Sequence, residues 1–224
     1  MCAKRRATVI SGTIGESVVV FDTETTGVDR SKDQPIEISA VKIHLGTGKT
    51  ISDFSMLARP GVPVSKSAQD IHGIPPADIA AAKPVADVVR EFFYWVEGTK
   101  TLWAYSAGFD RDMVQNVIDQ PGFWEFNPGK RLFPDIAAIQ ILDILEVVRS
   151  VGHPLLNYKL DNVMRSMNIF MPGRHRALWD AIGAACVLGR ITMEIAPTMF
   201  GVDTTLSQMF GERTTPIFWE KRKK

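Results

Sequence analysis

The sequence predicts an α/β layer fold in which a three-stranded meander is extended by further strands reached through helical crossovers. Three observations carry this. Strand-like runs come first in the chain, segments with helical apolar spacing follow, and one short strand-like run, Thr101 to Tyr105, interrupts the helices. There is no internal repeat and no low-complexity stretch.

Val18, Val19, Val20 and Phe21 form a β-branched and aromatic run that reads as a buried strand. Ile36, Ile38, Ala40 and Ile43, with Glu37, Ser39 and Lys42 between them, make a roughly alternating second strand, and Ile51 to Ala58 a third. Gly46-Thr47-Gly48-Lys49 is the hairpin turn that joins them. Arg59-Pro60-Gly61 breaks the pattern, and Pro84 to Glu97 shows helical spacing at Val85, Val88, Val89, Phe92, Phe93 and Val96. After the strand at Thr101 a helix is expected from Phe109 to Asp119, closed by Gln120-Pro121-Gly122. Further helices are expected over Asp135 to Ser150, Lys159 to Met167 and Ala177 to Ile195.

The 224 residues, 45% of them hydrophobic, suffice for one sizeable core with terminal arms. The expected divisions are a basic arm over 1–16, one domain over 17–196 and a tail over 197–224. No apolar run approaches the roughly 18 to 20 residues that cross a bilayer, since Ala181 to Gly189 stops at Arg190. The residues after Lys4, Arg5 and Arg6 are too polar for a signal-peptide core, so a cytoplasmic protein without a membrane partner is expected. Cys2 and Cys186 are read as free thiols. The net charge is +1, yet seven cations lie at the two ends, in Lys4, Arg5, Arg6, Lys221, Arg222, Lys223 and Lys224, which leaves the rest at −6. Such arms fit either solvated tails or an aid to phosphate-backbone binding. The tail's Phe200, Leu206, Met209, Phe210, Phe218 and Trp219 suit docking on a partner, a second subunit or the chain's own core.

The chemistry concentrates in acids. Asp22 and Glu24 end the first strand, and a two-residue period puts them on one face. Read alone they also fit an exposed strand end before a Thr-Thr-Gly turn. Two ionised acids facing one way need water, a basic neighbour or a hard divalent cation. Asp110 shares a helical face with Met113, Val114, Val117 and Ile118, and Asp180 shares one with Ala184, Val187, Leu188 and Ile191. Each could singly be a helix-start residue that accepts backbone N–H bonds. Together with the first pair they make four inward-facing carboxylates, which suits a two-cation site. His175, five residues before Asp180, adds an imidazole, a side chain that ordinarily titrates near neutrality and suits a general base.

Phe21-Asp22-Thr23-Glu24-Thr25-Thr26-Gly27, the pair Phe109-Asp110, and His175-Arg176-Ala177-Leu178-Trp179-Asp180 resemble, in order, the three motifs of the DEDDh 3′→5′ exonucleases, the DnaQ-like proofreading family. Ile71-His72-Gly73-Ile74 is similar to the family's loop after its third strand. The similarity runs from Val18 to Ile195. It implies a ribonuclease H-like fold, with a mixed five-stranded sheet flanked by helices. It also implies two Mg2+ or Mn2+ ions held by Asp22, Glu24, Asp110 and Asp180, with His175 as the base. The expected activity is stepwise release of nucleoside 5′-monophosphates from the 3′ end of single-stranded DNA or RNA. Expected protein partners are a polymerase or a second copy of the chain.

For substrate contact, the turn Thr25, Thr26 and Gly27 would bring backbone N–H groups to the terminal nucleotide, and His72 and Ile74 would pack on terminal bases. Phe109 would line the pocket. Ser106 stands where family members often carry Asn, so its shorter side chain would place substrate differently. Asp135 resembles an internal family aspartate and is read as a helix cap, and His44 and His153 are read as surface residues. The competing reading from another class is a nucleic-acid-binding module that keeps the fold without catalysis.

Overall fold

The computed structural model describes residues 17–45, 47–125, 134–152, 155–173, 175–192 and 217–219. The basic arm with Cys2, Gly46 of the hairpin turn, His153, and the tail apart from 217–219 lie outside the described residues. The elements are β1 (Ser17–Thr25), β2 (Pro35–His44), β3 (Lys49–Arg59), α1 (Lys66–His72), α2 (Pro76–Ala81), β4 (Lys83–Pro84), α3 (Val85–Trp95) and β5 (Thr101–Ala104). They continue with α4 (Ala107–Ile118), β6 (Gln140–Asp143), α5 (Ile144–Ser150), α6 (Leu160–Ser166), α7 (Ala177–Arg190) and β7 (Ile217–Phe218).

One sheet of seven strands runs in the order β4-β3-β2-β1-β5-β6-β7. Its five central strands are the expected mixed sheet. β1, β2 and β3 form the antiparallel meander, and β5 and β6 add in parallel beside β1. The two-residue strands β4 and β7 extend the edges.

The helix expected over Asp135 to Ser150 is corrected. Ile136–Ala138 is a single 3-10 turn, Gln140–Asp143 is strand β6, and the helix begins at Ile144. Ile141 faces the α3–α4 layer and Leu142 the α5–α7 layer, both fully buried. A parallel strand covered on both faces loses the two-residue alternation, and its short apolar run then looks like helix. The same double burial corrects β2, where Glu37 and Ser39 are as enclosed as the apolar residues they separate. Asp135 forms no side-chain cap bond. Asp143 does the capping instead, accepting the Glu146 N–H at 3.1 Å and the Ala107 N–H at 3.0 Å.

β1 alternates between the two layers. Val18 and Val20 pack with α5, α6 and α7, while Val19 and Phe21 pack with α3, α4 and Trp219. α7 lies close to β1 and β2 because its inner face is made of Ala181, Ala184 and Ala185. Gly183 lets α6 approach α7, since a Cβ there would overlap the Met164 sulfur. The one described piece of the tail docks on the chain's own core. Trp219 is buried, with its ring 5.2 Å from Phe93 and 6.3 Å from Phe21.

Candidate active site

Strand alternation sends Asp22 and Glu24 toward the α7 side, and α7 begins there. Carboxylate oxygens of Asp22, Glu24 and Asp180 lie within 4.8 Å of one another, a spacing that fits divalent cations with hard oxygen donors. Asp110 comes from the other layer. β5 runs parallel to β1, so the chain turning from β5 into α4 delivers Asp110 to the carboxyl end of β1. It is buried, and it accepts the Thr23 N–H at 3.1 Å and the Thr23 hydroxyl at 2.8 Å on Oδ1. Asp110 thus stands beside the trio rather than within it, near enough for its charge to act on Asp22.

The electrostatics are those of crowded, partly buried acids. Burial, and then the charges of Asp110, Asp180, Glu24 and Glu37, push Asp22 well above the usual carboxylate range. Glu24 is pushed up to about 8 by burial and by Asp180, Glu37 and Asp110, with Arg176 opposing. Asp110 is pushed up to about 7 by burial, against the lowering effect of the Thr23 bonds. Groups this hard to ionise together are matched by cationic charge, which is the chemistry of a metal-holding donor set.

His175 is exposed, one residue before the N-cap of α7, with φ 54°. The turn after β1 is built inward. Thr25 donates its hydroxyl to the Gly27 carbonyl at 2.7 Å, and Thr26, fully buried, donates to Asp33 Oδ1 at 2.8 Å. Gly27 is required sterically, because a Cβ there would overlap the Asp33 carboxylate. The expectation that His72 and Ile74 present side chains to substrate bases is corrected. Ile74 is buried with Ile36 and Ile79, and His72 is buried with Nδ1 accepting the Ile74 N–H at 3.0 Å. Burial depresses the His72 imidazole below its usual range. Within that loop Ile71 is the exposed apolar side chain. Ser106 is exposed at the start of α4, and Phe109 is half-buried on its first turn. His44 is half-buried at the end of β2.

Sequence reasoning passed over Thr23 and Glu37. Thr23 lies inside the acidic motif, and its only signal is a hydroxyl on the strand face it shares with Val19 and Phe21. Glu37 accepts from Arg176 Nε at 3.0 Å, from Arg176 Nη2 at 2.9 Å and from the Ala177 N–H at 3.2 Å. Nothing local distinguishes it from a solvent-facing acid on an alternating strand.

A mixed sheet with enclosed acids at the carboxyl end of its central strand, completed by acids from helices on both layers, defines a class of phosphodiester-cleaving nucleases. The chain belongs to the exonuclease family, whose model matches residues 19–188, and the resemblance to DEDDh exonucleases read from its motifs holds. It is 29% identical over 197 residues to the DNA polymerase III PolC-type protein of Oceanobacillus iheyensis, which covers 88% of this chain and 13% of the polymerase. It is 30% identical over 167 residues to the PolC-type protein of Caldanaerobacter subterraneus, covering 75% of this chain and 11% of that one. The chain therefore spans only about an eighth of these curated relatives.

Among solved structures, Exonuclease X in complex with 5′ overhanging duplex DNA superposes with a TM-score of 0.61 at 24% identity, over 87% of this chain and 98% of that one. E. coli Exonuclease I in complex with a dA16 oligonucleotide gives 0.64 at 17% identity, over 83% and 42%. These likenesses establish the fold. Among the described residues no helix is long and apolar enough to cross a membrane.

Proposed function

We propose that this chain is a metal-dependent 3′→5′ exonuclease that releases nucleoside 5′-monophosphates from single-stranded ends, with DNA as its first substrate. The observation that carries the reading is the convergence of Asp22, Glu24 and Asp180 within 4.8 Å, with Asp110 held beside them by Thr23. The relation to PolC-type DNA polymerases supports DNA over RNA and a polymerase as partner. A cytoplasmic location belongs to the same reading.

The four acids would hold two Mg2+ or Mn2+ ions. Such a pair supplies positive charge for the attacking and leaving oxygens of an in-line displacement at phosphorus. The protein's own groups do the rest. Asp22 and Glu24 are fixed by a central strand, Asp110 by Thr23, and Asp180 by the first turn of α7, where its N–H donates to the Arg176 carbonyl at 3.1 Å. His175 takes the proton of the attacking water on its imidazole. Ser106, Phe109 and the backbone of Thr25 and Gly27 line the approach of the terminal nucleotide, the Thr26 N–H being taken by the Gln34 carbonyl at 3.0 Å, with Ile71 presenting the apolar surface of its loop.

With magnesium, the purified protein is expected to convert a 5′-labelled single strand into a descending ladder, and chelator stops it. Asp22→Ala and His175→Ala each lower the rate by at least about 100-fold. A ladder persisting at the wild-type rate in either variant overturns the mechanism. Binding of the strand without shortening identifies a binding module instead. DNA and RNA strands run side by side decide substrate preference, because 2′-hydroxyl recognition is what separates them.

A further inference from the structure

Glu37 is an acid where its neighbours disfavour one. It lies directly across from Glu24 in the β1–β2 register, it is 1% exposed, and its charge raises both Asp22 and Glu24. An uncharged residue there would ease the repulsion in the acid cluster. Among the described residues the Glu37 carboxylate instead accepts from a single segment of chain, through a two-pronged pair with Arg176 at 3.0 and 2.9 Å and the Ala177 N–H at 3.2 Å. A guanidinium and a carboxylate paired this way fix direction as well as distance.

That segment carries His175, the residue immediately before the pair. Its φ of 54° is a left-handed conformation, uncommon for a residue with a Cβ. Two residues earlier the chain is closely packed. Gly173 packs so closely on the Trp179 ring that a Cβ there would overlap the indole. The nearest described residues on the two sides of His175 are thus held, Gly173 against Trp179 and Arg176 by Glu37.

We propose that Glu37 and Arg176 are positioning residues for His175: the buried carboxylate grips the arginine and fixes the backbone from which the imidazole reaches the attacking water. This rests on the proposed role of His175 as the base. Arg176 is half-exposed, with 49% of its side-chain surface accessible, so direct contact with a substrate phosphate is the rival role.

The test uses Glu37→Gln and Arg176→Lys in the full chain, assayed on a single DNA strand with magnesium. Lysine keeps the charge and loses the planar fork. The expected result is a kcat lower by about 10- to 100-fold with KM within about twofold, as misplacement of a reacting group gives. At high enzyme concentration, where residual cleavage by His175→Ala is measurable, adding either substitution to that variant lowers the rate by less than about twofold. In Arg176→Lys, which leaves the charge of Glu37 in place beside Asp22 and Glu24, the thermal shift produced by magnesium stays at the wild-type value. Arg176→Lys alters a half-exposed side chain and carries the test if Glu37→Gln does not fold.

A raised KM with kcat retained overturns the proposal by placing Arg176 on the substrate, and a multiplicative loss in the His175→Ala background overturns it by placing the pair's effect elsewhere. Loss of the magnesium shift in Arg176→Lys overturns it as well, because the pair then supports the acids. Wild-type rates in both variants overturn the positioning role alone, while a wild-type protein that leaves the strand intact overturns the exonuclease reading and this role with it.

Discussion

Thr23 binds Asp110 twice through one oxygen, its N–H donating at 3.1 Å and its hydroxyl at 2.8 Å across 87 residues of sequence. The contact joins the central strand to the helix of the opposite layer and orients a buried acid. Thr23→Val keeps the shape and removes the hydroxyl. It is expected to cost about 1.5 to 3 kcal/mol, the usual range for a bond to a charged group, and to raise the Asp110 pKa further. Urea melts and the magnesium dependence of the rate check this. A variant with unchanged stability and unchanged magnesium requirement shows that Thr23 does not orient the acid.

The enclosed acids set the sign of a pH dependence. Asp110 is pushed up to about 7 and Glu24 to about 8, and Asp22 is raised in the same direction. Between the ordinary carboxylate range and these values the folded protein binds more protons than the unfolded chain, so stability falls as pH rises from about 4 to about 8. Without metal, the protein is expected to be less stable at about pH 8 than at about pH 5, by on the order of a few kcal/mol. Magnesium should recover much of that loss at the higher pH and add little at the lower. Urea melts in chelator and in magnesium measure both, and equal metal-free stability at the two pH values would contradict the prediction.

Gly27→Ala tests the inward construction of the turn after β1. The added methyl overlaps the Asp33 carboxylate, which accepts the Thr26 hydroxyl and, at 2.8 Å, the Asp29 N–H. A loss of about 1 to 3 kcal/mol is expected, as for other overpacked sites. Activity should fall too, because the same turn borders Glu24. Chemical denaturation together with a single-turnover assay reads the two effects.

Trp219 ties the distal end of the chain to the core. Its ring packs on Phe21 and Phe93, next to the strand that carries the acids, and among the described residues its indole N–H has no hydrogen-bond partner. Trp219→Ala is expected to cost about 3 to 5 kcal/mol. Trp219→Phe keeps much of the bulk and removes the orphaned donor, so it should cost clearly less. Comparable losses in the two variants, measured by urea denaturation, would show that bulk is not what the core requires.

The sequence by itself determined the strand that presents Asp22 and Glu24 and the helical faces that turn Asp110 and Asp180 inward. It also determined the meander and the order of the motifs that set the family. These are short-range facts, because a two- or 3.6-residue period and an acid that violates it are visible within one or two turns of chain. Tertiary structure decided what depended on distant neighbours. β6 is a strand because both of its faces are covered, and a doubly buried strand carries no alternation to read. His72 and Ile74 face the interior because α1 and α2 fold that loop over β2. Glu37 becomes the seat of Arg176 only when β2 and α7 meet, a pairing made across 139 residues of sequence. Periodicity records which way a side chain points along its own element. What it meets there is decided by the packing of the whole chain.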